Sequence, residues 1–141
     1  MRISTKGRYS MRLMLDLAEN NTGQPVSLRD ISARQGISEK YLEQIIAALN
    51  RGGCVRSVRG AQGGYLLSRK PEAYTVGEIL RVTEGDLSPV ECVGYNKTEC
   101  DREDDCAIIR VWQKINDAVN SVVDSITLKD LLDWSHEKGR T

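Results

Sequence analysis

The 141-residue chain contains a single histidine, His136, pairs no nucleophile with a base, and has no glycine-rich phosphate loop. These absences leave nothing to run a reaction, so neither an enzyme nor a small-molecule substrate is expected. No stretch approaches the ~20 apolar residues of a membrane span. The opening Met1-Arg2-Ile3-Ser4-Thr5-Lys6-Gly7-Arg8 carries charge where a secretion signal needs apolar residues. A cytoplasmic protein with no membrane partner is therefore expected. Disulfides are uncommon in that compartment, which turns clustered cysteines into candidate metal ligands or redox-active thiols. Internal repeats and low-complexity tracts are also missing, and the length suits one core with a helical extension.

The formal net charge of zero conceals a division. Residues 1–70 carry 12 Lys and Arg against 5 Asp and Glu, whereas residues 71–141 carry 8 against 15. A basic half suits a polyanionic partner, and an acidic half is held away from it.

Along the chain, Tyr9, Met11, Leu13, Met14, Leu15, Leu17 and Ala18 predict a largely buried first helix from Thr5 to Asn20, capped by Ser4 or Thr5. Ser27 with Asp30 opens a short second helix that Gly36 ends. Ser38 caps a third, with Leu42, Ile45, Ile46 and Leu49 on one face and Gly52-Gly53 stopping it. Two helices around a glycine turn predict a helix-turn-helix. Cys54–Arg59 and Tyr65–Ser68 then read as strands joined by Gly60-Ala61-Gln62-Gly63-Gly64, a wing. Thr75 with Glu78 starts a helix bearing Val76, Ile79, Leu80 and Val82, packed back on this domain. From about Asp105 a long helix places Ile108, Trp112, Ile115, Val119, Val122 and Ile126 at spacings of four and three, a seam for pairing with a second copy. Thr127 with Asp130 begins a last helix. The expected fold is mainly α with a small β-hairpin: a winged helix-turn-helix domain over residues 1–83, a cysteine loop over 84–105, and the dimerisation and C-terminal helices over 106–141.

With its apolar face inward, the third helix directs Lys40, Gln44, Ala47 and Arg51 outward, with Tyr41 and Glu43 on the flanks. Gln44 can pair bidentately with adenine and Glu43 can accept from cytosine, while Lys40 and Arg51 can neutralise phosphates or reach guanine. Arg56 and Arg59 flank the wing tip, where Gly60 and its neighbours permit close approach, and Arg59 is the candidate for the minor groove. Arg2, Lys6, Arg8 and Arg12 can supply backbone contacts at the first helix. Double-stranded DNA, read by a homodimer on a pseudo-palindromic operator, is the expected partner.

Cys92, Cys100 and Cys106 fall within one acidic, turn-prone stretch, whereas Cys54 reads as a small buried apolar residue. Three thiolates suit an iron-sulfur cluster or zinc, and a bare thiol switch is the third option.

Met1-Arg-Ile-Ser-Thr-Lys-Gly-Arg-Tyr9, Ile37-Ser-Glu-Lys-Tyr-Leu-Glu-Gln44, Val58-Arg-Gly60, Gly63-Gly-Tyr-Leu66 and the three cysteines closely resemble the IscR group of winged-helix transcription regulators, a family that also includes NsrR and CymR. The likeness spans Met1 to about Trp134. It implies a homodimer, DNA binding through Ser38–Arg51 and the wing at Arg59, a 2Fe-2S cluster on Cys92, Cys100 and Cys106, and control of iron-sulfur assembly genes. The sequence departs from that pattern in its Cys-x7-Cys-x5-Cys spacing, in Ile109 where the group has a histidine ligand, and in Arg8 where some NsrR proteins have an aspartate. Glu99, Asp101, Glu103, Asp104, Asp105, a water or His136 remain as the fourth ligand. A CymR-like regulator answering to a partner protein is the alternative.

Overall fold

In the computed structural model, residues 2–93 and 107–138 are described. Helix α1 (Thr5–Glu19) is the hub of the core. The Ser4 hydroxyl accepts from Gly7 N–H at 3.1 Å, which settles Ser4 as its cap, and Leu13, Met14 and Leu17 are fully enclosed. Each such side chain contributes roughly 1.5–3 kcal/mol relative to exposure in water. Helix α2 (Leu28–Gln35) follows its Ser27 cap, and α3 (Glu39–Arg51) its Ser38 cap. The turn between them requires Gly36, whose φ of 67° and ψ of 30° lie in the left-handed region that side chains disfavour. Buried Ile37 and a hydrogen bond from the Ser32 hydroxyl to the Ile37 carbonyl, 2.6 Å, lock the turn against the core.

Strands β1 (Val55–Val58) and β2 (Gly64–Leu67) form an antiparallel hairpin, with Val55 opposite Leu67 and Val58 opposite Gly64. The first strand is shorter at both ends than the expected Cys54–Arg59, and the second is shifted one residue earlier than the expected Tyr65–Ser68. Cys54 N–H closes α3 by donating to the Leu49 carbonyl, 2.9 Å, and Ser68 N–H bonds to the Tyr74 phenol oxygen, 2.9 Å. That buried phenol also accepts from Arg69 N–H and donates to the Cys54 carbonyl at 2.6 Å, so one ring ties together the bases of both strands. Val26 and Tyr65 exchange two backbone hydrogen bonds, fastening the hairpin to the chain ahead of α2.

Helix α4 (Val76–Glu84) packs on α1, as expected. Helix α5 (Ile109–Ser125) lies against α4, and α6 (Leu128–Lys138) returns to α1, where Leu128 joins the core. Thr127 and Asp130 form a reciprocal capping box. The expected start of the long helix near Asp105 is corrected to Ile109, because residues 107 and 108 form a turn. Ile126 leaves the helix with extended backbone, φ −102° and ψ 126°, and its carbonyl accepts from Val76 N–H, 2.8 Å. A mainly helical fold with one winged hairpin and a long helix near the C-terminus is therefore the architecture.

Candidate nucleic-acid interface and cysteine segment

Burial of Leu42, Ile45, Ile46, Ala48 and Leu49 fixes the rotation of α3 and leaves Ser38, Lys40, Glu43, Gln44, Ala47 and Arg51 exposed along the opposite side. Asn50, not singled out from the sequence, is exposed there as well. Tyr41 is half-buried, its ring meeting Tyr9 edge-on with centroids 5.8 Å apart. Arg12 stacks on Tyr9 at 5.4 Å and donates to the side chain and carbonyl of Gln35. It braces α1 against the helix-turn-helix rather than projecting as Arg2 and Arg8 do.

A stronger brace went unread in the sequence. Asp16, 1% exposed, accepts from Arg34 Nε at 2.9 Å and Nη2 at 2.8 Å, and from Gln35 Nε2 at 3.0 Å. This bond to Asp16 raises the Arg34 pKa above its ordinary value. A carboxylate so enclosed is tolerable only because each oxygen has a donor. The contact fixes the end of α2, and hence the start of α3, on α1.

Arg56, Arg59 and Gly60 are exposed on the wing, and Gly63 N–H closes its tip by donating to the Gly60 carbonyl at 3.0 Å. Gly64 sits so close to the Val26 carbonyl that a side chain there would collide with backbone. At the opening of α1, Arg2, Ile3, Ser4, Thr5 and Arg8 line an open recess of about 430 Å³. Arg2 and Arg8 are exposed and Lys6 half-buried. The Glu84 carboxylate accepts from the Ser4 N–H and hydroxyl at this end, a contact with no local sequence signal.

Of the cysteines, Cys54 is fully buried, and burial pushes its thiol pKa up, with Glu78 adding to the effect and Arg69 opposing it. Cys92 is half-buried in a short turn, Glu91–Val93, that packs on α5. Asn116 Nδ2 of α5 donates to the Val93 carbonyl at 3.3 Å, one residue beyond the cysteine. Cys100, Cys106, Glu99, Asp101, Glu103, Asp104 and Asp105 lie outside the described residues. Among the described residues no group of three or more His, Cys, Asp or Glu could hold a metal ion. Likewise, no described helix is long and apolar enough to cross a membrane.

The apolar side of α5 is broader than one seam. Trp112, Val119 and Val123 are half-buried on the side carrying Asn116 and Asn120, which faces α4 and the Cys92 turn. Ile108 at 58%, Val111 at 49%, Ile115 at 39% and Val122 at 56% stay exposed. The expected seam is thus split: Trp112 and Val119 serve the protomer's own packing, and Ile108, Ile115 and Val122 face outward.

Comparison with known proteins agrees with this architecture. Residues 3–134 match the Rrf2 family, described as an iron-dependent transcriptional regulator. The chain is 43% identical over 135 residues to the transcriptional regulator CymR of Bacillus subtilis, covering 96% of this chain and 92% of that one. It is 40% identical over 132 residues to IscR of Escherichia coli, covering 94% and 80% respectively. The solved structure of CymR, "the Global Cysteine Regulator of B. subtilis", superposes with a TM-score of 0.81 over 95% of this chain and 98% of that one, at 42% identity. IscR of T. potens superposes with a TM-score of 0.77 over 98% and 90%, also at 42% identity. These relatives are regulators, in keeping with the expectation of no enzyme.

Proposed function

Because the chain belongs to the Rrf2 family of transcriptional regulators, we propose that it is a homodimer that reads a pseudo-palindromic operator and reports iron-sulfur status through Cys92, Cys100 and Cys106. The observation carrying the sensing half is the position of Cys92. Its turn follows α4 and is held to α5 by the Asn116 hydrogen bond, so whatever binds at Cys92 acts on the contact between the winged head and the long helix. The donor chemistry fits a 2Fe-2S cluster, since three thiolates from one segment bind iron well and leave one coordination position for a weaker ligand. Such a cluster supplies an electron-accepting centre whose presence follows iron and sulfide supply. The protein's own residues do the rest. Gln44, Glu43, Lys40 and Arg51 meet base edges and phosphates, with Ser38 and Tyr41 beside them, Arg59 and Gly60 enter the minor groove, and Arg2, Lys6 and Arg8 hold the backbone. Ile108, Val111, Ile115 and Val122 supply the apolar face on which the second copy packs.

Likeness to CymR at 43% identity, beside 40% for IscR, favours a second reading. In it the acidic half docks a partner protein, and the thiols act without a cluster or hold zinc. Anaerobic purification separates the two. Visible absorption from sulfide-to-iron charge transfer, together with operator binding that differs between wild type and a Cys92, Cys100 and Cys106 triple alanine variant, supports the cluster. Colourless protein, with zinc or no metal, whose binding ignores those substitutions removes sensing by the cysteines and leaves DNA binding intact.

A further inference from the structure

Glu84 ends α4 and belongs neither to the candidate reading face nor to the cysteine segment. Its carboxylate accepts from Ser4 N–H at 3.1 Å and from the Ser4 hydroxyl, while Ser4 in turn caps Gly7 N–H. It therefore sits over the first turn of α1, where the helix dipole favours an anion and where backbone donors lack partners within the helix. Gly7 makes room for it, since a Cβ there would collide with the carboxylate. One turn earlier on α4, Arg81 donates to both carboxylate oxygens of Asp124 at 2.6 and 3.0 Å and to Asn120 at 2.9 Å. Gly77 makes the same kind of room there, because its Cβ would strike Asp124. Directly after Glu84 comes Gly85, with φ 77° and ψ −123°, opening the chain that leads to Cys92.

We propose that Glu84 is a positioning residue for DNA binding: α4 is gripped by α5 through Arg81, holds the opening turn of α1 through Glu84, and so sets where Lys6 and Arg8 stand against the duplex. The inference rests on reading that end of α1 as a phosphate contact. Its chemistry is a charged acceptor on two donors of a single residue, and without it the first turn frays and the basic side chains lose a common platform.

The test is operator binding by the full-length dimer, with thermal melting alongside. Glu84→Ala is expected to weaken binding about tenfold. That loss should not add to the loss from Lys6→Ala in the double variant, whereas it should add fully to the loss from Gln44→Ala. Glu84→Gln keeps an oxygen that can accept from Ser4 and should stay within about twofold of wild type. Ser4→Ala, which leaves α4 untouched, gives the same pattern at smaller amplitude and serves if Glu84→Ala fails to fold. Wild-type affinity in Glu84→Ala, or losses that add with Lys6→Ala, overturn the inference. A silent Lys6→Ala instead sinks the phosphate reading of α1 beneath it, a separate and recognisable failure.

Discussion

Gln44 and Lys6 both carry polar groups to the candidate DNA side, yet their chemistries differ. Gln44 offers a donor and an acceptor in one plane, which matches adenine and rejects other bases. Lys6 offers a point charge that any phosphate satisfies. Gln44→Ala is therefore expected to cost about 1–3 kcal/mol on the operator and to relax discrimination at one base pair. Lys6→Ala should weaken all sequences alike and reduce the magnitude of the salt slope by roughly 1. Competition binding over a salt series checks this, and identical behaviour of the two variants would refute the division of roles. Asp16 illustrates the opposite case, a polar residue turned inward. In the sequence it is one acidic residue on an apolar helix with no partner in view; only the arrival of Arg34 and Gln35 from α2 makes its enclosure possible. Tyr74 was silent for the same reason, since its partners Cys54, Ser68 and Arg69 are brought to it by the hairpin.

Among the elements, those set by neighbours in sequence were readable. Ser4, Ser27, Ser38, Thr75 and Thr127 each accept from or exchange with the residue three positions on, so the starts of α1 to α4 and α6 followed from short motifs. Helix α5 has no such cap, and it starts at Ile109 instead of near Asp105. Its periodicity was visible, but a stripe in 4-3 register does not say which half of a wide apolar arc meets the protomer's own α4. The structure divides that arc, and the division yields a prediction. Val122 is exposed in the single protomer, so Val122→Glu should leave the fold intact yet raise the dimer dissociation constant by at least about tenfold, since a carboxylate would be buried without a partner. Sedimentation at several concentrations checks it, and an unchanged dimer would place the interface elsewhere.

For the molecule as a whole, a two-fold axis through paired α5 helices would present two winged heads and hold both basic halves toward one duplex, with the acidic halves turned away. Hydroxyl-radical footprinting is expected to show two protected half-sites related by symmetry, their centres about one helical turn or a multiple of it apart. A single protected patch would contradict the symmetric arrangement. The Tyr74 phenol adds a constraint on such binding. By knotting the end of α3 to both feet of the wing, it would make the major-groove and minor-groove probes proposed for each head a caliper with a fixed gap. Fixed jaws cannot open to suit an ill-matched groove, so the duplex must do the yielding, and sequences that bend cheaply gain an advantage at base pairs the protein never touches.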